Sequence, residues 1–412
     1  MTTTIHTQLQ TYLAGNFDAY LALLKQWVSI NSFTTNVEGV NELGRVTAVS
    51  FTRLGFSADY VQSACQDYGQ HLVLTRPGKS GRKIGLVSHL DTVFPPAEEI
   101  RNNFAWRASG RRIYGPGTVD IKGGTLMIYM MLAALQAVAI DVFEDITWVI
   151  LLDASEEVDG TDFGDLCLER LGTDALACLI FEAGYFERKQ AKVVVARKGM
   201  ATFRIDVEGR ASHAGSAHEQ GANAIWQLAD VVQRVCQLTD YEQDLTFNVG
   251  TASGGTVLNR VPHFASASVE MRAFTPEIYE SGAASILALD GLSSVQSADG
   301  RFPCRVHVTW VRKTKPWPRH EATERLFRVW QEAGADMGWT VLPEERGGLS
   351  DGNYIWDLMP CLDGLGAAGG NAHCSEQSED GSKEQEFCLP AAFIPKTVLN
   401  VTAVLKLIHV AN

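Results

Sequence analysis

Side chains able to bind metal ions or move protons are scattered along this chain, each predicted to lie at the end of a buried strand. They are two histidines and four carboxylates: His89, Asp120, Glu156, Glu157, Glu182 and His373. This set offers two imidazoles and three carboxylates for coordination, and one carboxylate to act as a base. It suits two zinc ions that share a bridging ligand, with an activated water between them. The residue types therefore predict a metal-dependent hydrolase.

His89 and Asp91 are two residues apart at the end of a predicted strand, so their side chains point to the same face. A coordinating histidine normally has a further acceptor that fixes its tautomer, and Asp91 is placed to supply it. The ordinary alternative is a buried, hydrogen-bonded histidine beside a turn aspartate.

Asp120 lies in a glycine-rich segment, 115–124, where the backbone can approach a site closely. A carboxylate there can bridge two cations, with one oxygen for each. The alternative is that Asp120 caps a helix that begins near Gly124.

Glu156 and Glu157 are adjacent at the end of an apolar run. Two neighbouring carboxylates repel each other unless cations are near or one of them is protonated. Successive side chains of an extended segment diverge, so one can bind metal while the other faces the reacting water. We assign Glu156 as the general base and Glu157 as a ligand; a solvated pair of loop carboxylates is the alternative.

Glu182 follows another apolar run, where an unpaired buried carboxylate would be costly. His373 lies in a loop of small residues that can reach a cleft. A hydrogen-bonded turn carboxylate and a surface histidine are their ordinary alternatives. The occurrence of all six residues in one chain, each at a predicted strand end, favours the metal site over these alternatives.

Length and composition limit the classes of function. A chain of 412 residues exceeds the usual size of one hydrophobic core, which predicts two domains. The net charge of -13 argues against a general nucleic-acid or anionic-membrane surface. The eight cysteines include no C-x-x-C pair and residues 1–10 contain no apolar signal segment, so we expect a cytoplasmic protein with reduced thiols.

Helical and strand patterns alternate in the first part of the chain, which predicts an α/β domain with a largely parallel sheet. Ligands bind beyond the carboxyl ends of the strands in such sheets. From residue 199 the pattern changes to that of a small α+β unit with an antiparallel sheet. We predict a zinc-hydrolase catalytic domain formed by residues 1–198 and 314–412, with a lid or dimerisation domain inserted at 199–313. The predicted helices are 9–30, 41–54, 125–138, 222–238, 276–289, 321–337 and 397–409.

Several segments resemble, in order, the successive motifs of the co-catalytic zinc peptidase family. That family contains glutamate carboxypeptidase (carboxypeptidase G), acetylornithine deacetylase, succinyl-diaminopimelate desuccinylase and aminoacylase. The resemblance spans about residues 86 to 373. The matching segments are 88–93, 115–124, 155–160, 209–215, 347–352 and 370–375.

The resemblance implies how the ligands divide between two zinc ions per subunit. His89, Asp120 and Glu182 would hold one ion. Asp120, Glu157 and His373 would hold the other. Manganese or cobalt would suit the same ligands.

The resemblance also implies the roles of the residues around the ions. Glu156 would be the base, and Asp91 would orient His89. In that family the smaller domain is a lid and often a dimerisation surface. It supplies a histidine, here His213, often from the partner subunit, to stabilise the developing oxyanion. A turn residue is the alternative for His213.

Substrate contacts follow from the resemblance alone. Asn259 and Arg272 match positions that contact the substrate carboxylate in relatives, and the guanidinium fork suits a carboxylate. Gly348 and Ser350 belong to a loop near the same carboxylate.

The leading interpretation is a hydrolase that cleaves an amide or peptide bond next to a carboxylate-bearing amino acid, as a glutamate-carboxypeptidase-like exopeptidase does. Lys192 and Lys315 fall near positions that are basic in glutamate carboxypeptidases, which favours an acidic C-terminal residue; ordinary exposed lysines are the alternative. The alternatives are an N-acyl-amino-acid deacylase and, in another class, a metal-free binding or scaffold paralogue. A homodimer through the lid is expected. The chain departs from the family in the polar segment 376–387, which is longer than usual.

Overall fold

The computed structural model describes residues 2–158 and 160–410, so Asp159 of the 155–160 motif lies outside the described residues. The chain divides into two compact units. The first unit comprises Met1–Val195, Arg319–Glu345 and Ser350–Asn412. The second comprises Ala196–Pro318 and Arg346–Leu349. The second unit thus takes in a short piece of the glycine-rich loop that the sequence pattern assigns to the catalytic domain.

Helices and strands alternate along most of the chain. The helices are α1 (Thr2–Gly15), α2 (Phe17–Val28), α3 (Val37–Thr52), α4 (Pro96–Arg101), α5 (Lys122–Val138), α6 (Ile140–Asp145), α7 (Thr161–Leu171), α8 (Ala224–Gln237), α9 (Pro276–Leu287), α10 (Glu321–Asp336), α11 (Gly352–Ile355) and α12 (Pro390–Val410). The strands are β1 (Ser57–Gln62), β2 (Gln70–Arg76), β3 (Lys83–His89), β4 (Arg107–Ser109), β5 (Arg112–Tyr114), β6 (Thr147–Asp153), β7 (Ala177–Ile180), β8 (Tyr185–Glu187), β9 (Gln190–Arg197), β10 (Gly199–Glu208), β11 (Thr246–Gly254), β12 (Phe264–Ala273), β13 (Arg305–Thr314), β14 (Thr340–Arg346), β15 (Cys361–Leu362), β16 (Gly369–Gly370) and β17 (Phe387–Cys388).

The first unit is built on a central sheet with the strand order β1-β2-β6-β3-β7-β15. The pairings of β3 with β6, β3 with β7 and β7 with β15 are parallel, and β1 and β2 add an antiparallel edge. β3 and β6 are buried over nearly their whole length, as expected for strands covered on both faces. The predicted α/β fold with a largely parallel sheet is therefore confirmed.

The helix predicted over 9–30 is wrong in one respect, because the structure has two helices there, α1 and α2. Asn16 separates them with φ -110° and ψ 3°, and its side chain donates a hydrogen bond to the carbonyl of Tyr12. An asparagine side chain competes with the backbone for helical hydrogen bonds, which explains the break. The apolar pattern continues across it and hides the interruption.

The second unit contains an antiparallel sheet with the strand order β11-β12-β10-β13, and α8 and α9 pack against it. Along β10, Phe203, Ile205 and Val207 are buried, whereas Arg204 and Glu208 are exposed. This alternation of period two buries one face of the sheet and leaves the other polar. The unit has its own hydrophobic core.

Within the described part of the chain, α12 is long and apolar enough over Pro390–His409 to cross a membrane, judged by length and composition. However, 72% of its most apolar 18-residue window is buried in the protein. The helix packs against α1, α5 and α10. These contacts are those of a core helix.

Candidate metal centre

Four of the predicted residues lie where parallel strands of the central sheet end. His89 is the last residue of β3, Glu156 and Glu157 follow β6, and Glu182 follows β7. Because β6, β3 and β7 run parallel side by side, their carboxyl ends meet at one edge of the sheet. The fold therefore brings these four side chains to the same place.

Asp120 and His373 come from loops beside a second, small sheet with the order β16-β17-β5-β4. Asp120 lies between β5 and α5, and His373 lies between β16 and β17. The expectation that every ligand follows a buried strand of the main sheet is wrong for these two residues. Ile121 occupies the N-cap position of α5, so Asp120 is not the helix cap.

Three side chains form the first group of potential ligands. His89 Nε2 lies 3.2 Å from Asp120 Oδ1 and 3.7 Å from Glu182 Oε1. One ligand atom from each residue lies within 4.8 Å of the others. This group is the one that the resemblance assigns to one ion.

The second group uses the other oxygen of Asp120. His373 Nε2 lies 3.2 Å from Asp120 Oδ2 and 3.1 Å from Glu157 Oε2. These three residues again offer ligand atoms within 4.8 Å of one another. Asp120 thus turns one oxygen to each histidine, which is the geometry of a carboxylate that bridges two cations.

The buried carboxylate of Asp91 organises the residues around the site. His89 Nδ1 lies 3.0 Å from the carbonyl oxygen of Asp91 and 3.3 Å from its Oδ1, which leaves Nε2 facing the ligand group. The backbone N–H groups of Glu156 and Glu157 each donate to Asp91 at 3.2 Å. The hydroxyl of Thr34 also donates to it, at 2.7 Å. The sequence alone does not reveal this hydrogen bond of Thr34. Its neighbours in the sequence are also polar, and no pattern distinguishes its hydroxyl from theirs.

Negative charge is concentrated at the site. Burial raises the pKa of Glu156 well above its ordinary value, and repulsion from Glu182 and Glu157 adds to the rise. Burial likewise raises the pKa of Glu157. Hydrogen bonds to Asp120 and Glu157 raise the pKa of His373 to about 11. Bound cations compensate carboxylates crowded in this way.

The donor atoms fit divalent cations. Each group offers one imidazole nitrogen and two carboxylates, a set that zinc accepts and that manganese or cobalt also accepts. Glu157 Oε1 is buried without a hydrogen-bond partner among the described residues. A buried carboxylate oxygen without a partner is costly unless a cation satisfies it. Cys374, beside His373, donates to the carbonyl of Glu376 and belongs to neither group.

In the second unit, the backbone fixes the orientation of His213. The N–H groups of Gly215 and Ser216 both donate to His213 Nδ1, at 3.1 Å each. An imidazole that accepts at Nδ1 carries its proton on Nε2 when neutral, so this exposed side chain presents an N–H donor. Asn259 is adjacent, because its carbonyl accepts a hydrogen bond from the N–H of Ala214.

The predicted substrate-binding residues already have partners within the chain. The guanidinium of Arg272 donates to both carboxylate oxygens of Glu270, at 2.7 and 3.3 Å, and to the carbonyl of Gly347. The carbonyl of Gly348 accepts from Arg197 at 3.0 Å.

Ser350 belongs to the first unit and is buried. Its hydroxyl donates to Asp363 Oδ2 at 3.0 Å. The substrate-binding roles of Asn259, Arg272, Gly348 and Ser350 remain predictions.

Comparison with known proteins finds one domain match and several similar proteins. Residues 195–285 match the peptidase dimerisation domain of the M20 family. Carboxypeptidase G2 of Pseudomonas sp. (strain RS-16) is 27% identical over 366 residues, which cover 88% of this chain and 84% of that protein.

Solved structures share the fold over nearly the whole chain. Aminopeptidase PepT from Bacillus cereus ATCC 10987 superposes with a TM-score of 0.74 at 21% identity, covering 95% of this chain and 99% of that chain. The M20 family metallo-carboxypeptidase Sso-CP2 from Sulfolobus solfataricus superposes with a TM-score of 0.69 at 14% identity, covering 94% and 98%. The dimerisation-domain match, the homology to a carboxypeptidase and the paired ligand groups together indicate a metal-dependent peptidase or amidohydrolase that is similar to M20 family proteins.

Proposed function

We propose that the chain is a dizinc exopeptidase that cleaves an amide or peptide bond next to a carboxylate-bearing amino acid, in the manner of a glutamate carboxypeptidase. The observation that carries the proposal is the position of Asp120, which contributes one oxygen to each of two ligand groups. The 27% identity to carboxypeptidase G2 supports carboxypeptidase chemistry in particular.

Glu156 is the proposed base. Two bound divalent cations would supply a water of lowered pKa and would polarise the scissile carbonyl. The carboxylate of Glu156 would take one proton from the attacking water, whose oxygen would bond to the carbonyl carbon while the C=O electron pair moves to the carbonyl oxygen. When the C–N bond breaks, Glu156 returns the proton to the leaving amine.

His213 is the proposed donor to the oxyanion. Its Nδ1 accepts two backbone hydrogen bonds, so Nε2–H is free to donate to the negative oxygen that develops on the substrate. The resemblance allows this histidine to come from a second copy of the chain. The match of residues 195–285 to a dimerisation domain supports a homodimer.

The preference for a particular amino acid depends on cationic side chains. For Arg272 to bind a substrate carboxylate, it would exchange Glu270 for that carboxylate. Lys192 Nζ lies 3.4 Å from Glu344 Oε1, so it also has an anionic neighbour. An N-acyl-amino-acid deacylase would use the same cations for the same carboxylate and would differ in the acyl group that it accepts.

Metal content and a substrate panel test the proposal. We expect the purified protein to hold close to two zinc ions per subunit, whereas a metal-free scaffold would hold none at any pH. The zinc-loaded protein is then assayed with dipeptides ending in glutamate, aspartate or alanine, and with N-acetyl amino acids. Preference for a C-terminal glutamate supports the exopeptidase, and preference for the acetyl compounds supports the deacylase.

Two further expectations go with this function. All eight cysteines are free, and most are buried, which suits the reducing environment of the cytoplasm. We also expect no role for nucleic acid or membranes, because the net charge is -13 and α12 is a core helix.

A further inference from the structure

Glu386 connects the two loops that carry Asp120 and His373. It is fully buried and directly precedes β17. Its Oε1 accepts hydrogen bonds from the backbone N–H of Val119 at 3.0 Å and of Asp120 at 3.3 Å. Its own backbone N–H donates to the carbonyl of Cys374 at 2.7 Å. One residue therefore holds the backbone of the bridging ligand and the backbone next to His373.

The loop of His373 needs such support. Asn371 and His373 have φ angles of 59° and 67°, a left-handed conformation that costs energy for residues other than glycine. A side-chain contact on the same segment helps to hold it. Glu384 pairs with Arg112 and accepts hydrogen bonds from the hydroxyl of Tyr114 and from Nδ2 of Asn371. Residues 376–387, the segment that departs from the family pattern, thus connect the His373 loop to β5.

Replacing the carboxylate of Glu386 would leave two amide groups without an acceptor. The side chain of Val119 is 2% exposed, so water has little access to this part of the loop. A buried amide that loses its acceptor destabilises the folded protein. The loop is expected to relieve that cost by shifting the Asp120 backbone, and the carboxylate of Asp120 would move with it.

We propose that Glu386 is a positioning residue of the metal centre: it sets the separation between the Asp120 loop and the His373 loop so that Asp120 can be shared by both ligand groups. The inference rests on the proposed function, because it concerns the cations that these groups would bind. Glu386 contacts both loops, so the group formed by Asp120, Glu157 and His373 depends on it most. In the group formed by His89, Asp120 and Glu182, only Asp120 lies on a loop that Glu386 contacts.

The test measures metal affinity in the folded protein. The metal-free wild type and the variants Glu386→Ala, Glu386→Gln and Glu379→Ala are titrated with zinc against a competing chromophoric chelator, which yields a dissociation constant for each ion. We expect Glu386→Ala to weaken the binding of one zinc ion by about 10–100-fold and the binding of the other by less, as for other residues that orient metal ligands. Glu386→Gln keeps an oxygen acceptor and should stay within a few-fold of wild type. Glu379 is exposed on the same segment, so Glu379→Ala should match wild type.

Each outcome distinguishes the positioning role from the proposed function. If the wild type binds no zinc, the proposed function fails; if the wild type binds two ions and Glu386→Ala binds both equally well, only the positioning role fails. A purely structural role would lower the melting temperature of the metal-free protein and leave both constants unchanged, which also overturns the proposal. If Glu386→Ala does not fold, Glu386→Asp replaces it, because the shorter side chain cannot reach both N–H groups and the same criterion applies.

Discussion

The carboxylate of Asp91 accepts a hydrogen bond from the backbone N–H of Glu156 at 3.2 Å. The same carboxylate lies against the imidazole of His89, so the proposed base and a candidate metal ligand take their positions from one buried group. A shift of Asp91 would therefore disturb coordination and proton transfer together. The separate contributions can be resolved only by changing the side chains one at a time.

Glu156→Gln should lower kcat by about 10²–10⁴-fold, because an amide cannot accept the proton of the attacking water. The variant should bind as much zinc as the wild type, since Glu156 is in neither ligand group. Elemental analysis and steady-state kinetics measure the two quantities. Glu157→Gln is the matched control, because it should lose metal as well. Wild-type turnover in Glu156→Gln would remove Glu156 as the base.

Metal stoichiometry should report which ligand is shared. His373→Ala should reduce the bound zinc from about two ions per subunit to about one, and His89→Ala should do the same, because each histidine is in one group only. Asp120→Ala should weaken the binding of both zinc ions. Retention of one tightly bound ion in Asp120→Ala would show that Asp120 does not bridge.

His213→Ala should lower kcat by about 10²–10³-fold, which is the usual cost of losing one oxyanion donor. Zinc content should not change, because His213 is not in either ligand group. His218→Ala is the matched control, since His218 is an exposed histidine in the same unit. Equal kinetics for the two variants would reduce His213 to a turn residue.

Stability should fall at alkaline pH because of His71. This buried histidine lies 3.0 Å from Asp153 and 3.1 Å from Asp162. Burial alone lowers its pKa, but the hydrogen bonds to the two carboxylates outweigh burial and raise the pKa to about 9. In the unfolded chain the pKa is about 6.5. The stabilisation is therefore complete below about pH 6.5 and is lost as the pH rises through about 9.

Urea unfolding of the metal-free protein at pH 6 and pH 10 measures this effect. Between pH 6 and pH 10 the free energy of unfolding should fall by roughly 3 kcal/mol more in the wild type than in His71→Gln, because a shift of one pKa unit corresponds to about 1.4 kcal/mol. Comparison with the variant cancels the titration of the other groups. Parallel pH profiles for the two proteins would show that His71 is not charged between the two aspartates.

Gly124→Ala should destabilise the protein at the start of α5. A Cβ atom at this position would lie 2.1 Å from the carbonyl oxygen of Phe181, the residue before Glu182. Helix and strand end would have to separate, so we expect the free energy of unfolding to fall by about 1–3 kcal/mol. Gly15→Ala is the control, because a methyl group added there would meet no atom within 4 Å and alanine favours a helix. Equal stability of the two variants would contradict the close approach.

The sequence predicts the strand ends of the central sheet well, because an apolar run followed by a polar residue marks a strand end. The positions of His89 and Glu182 are found this way. The placement of Asp120 and His373 is harder to foresee. They lie beside strands of two or three residues, which are too short to show an alternating pattern. The long-range contacts of Glu386 hold these loops, and one glutamate in a charged segment carries no signal of its own.

Arg272 has a partner on its own strand, which the sequence analysis does not identify. Glu270 and Arg272 are two residues apart on β12, so their side chains lie on one face of the strand and form an ion pair. The same spacing indicates a partnership for His89 and Asp91. The resemblance to substrate-binding positions points instead to a ligand carboxylate, which would have to compete with Glu270 for the guanidinium.

The second unit is inserted between Glu182 and His373, so the last ligand is translated long after the first four. Glu386 and α12 also follow the inserted unit in the sequence, and they contact the Asp120 loop and the helices α1 and α5. The proposed metal centre can therefore be completed only after the inserted unit has been synthesised.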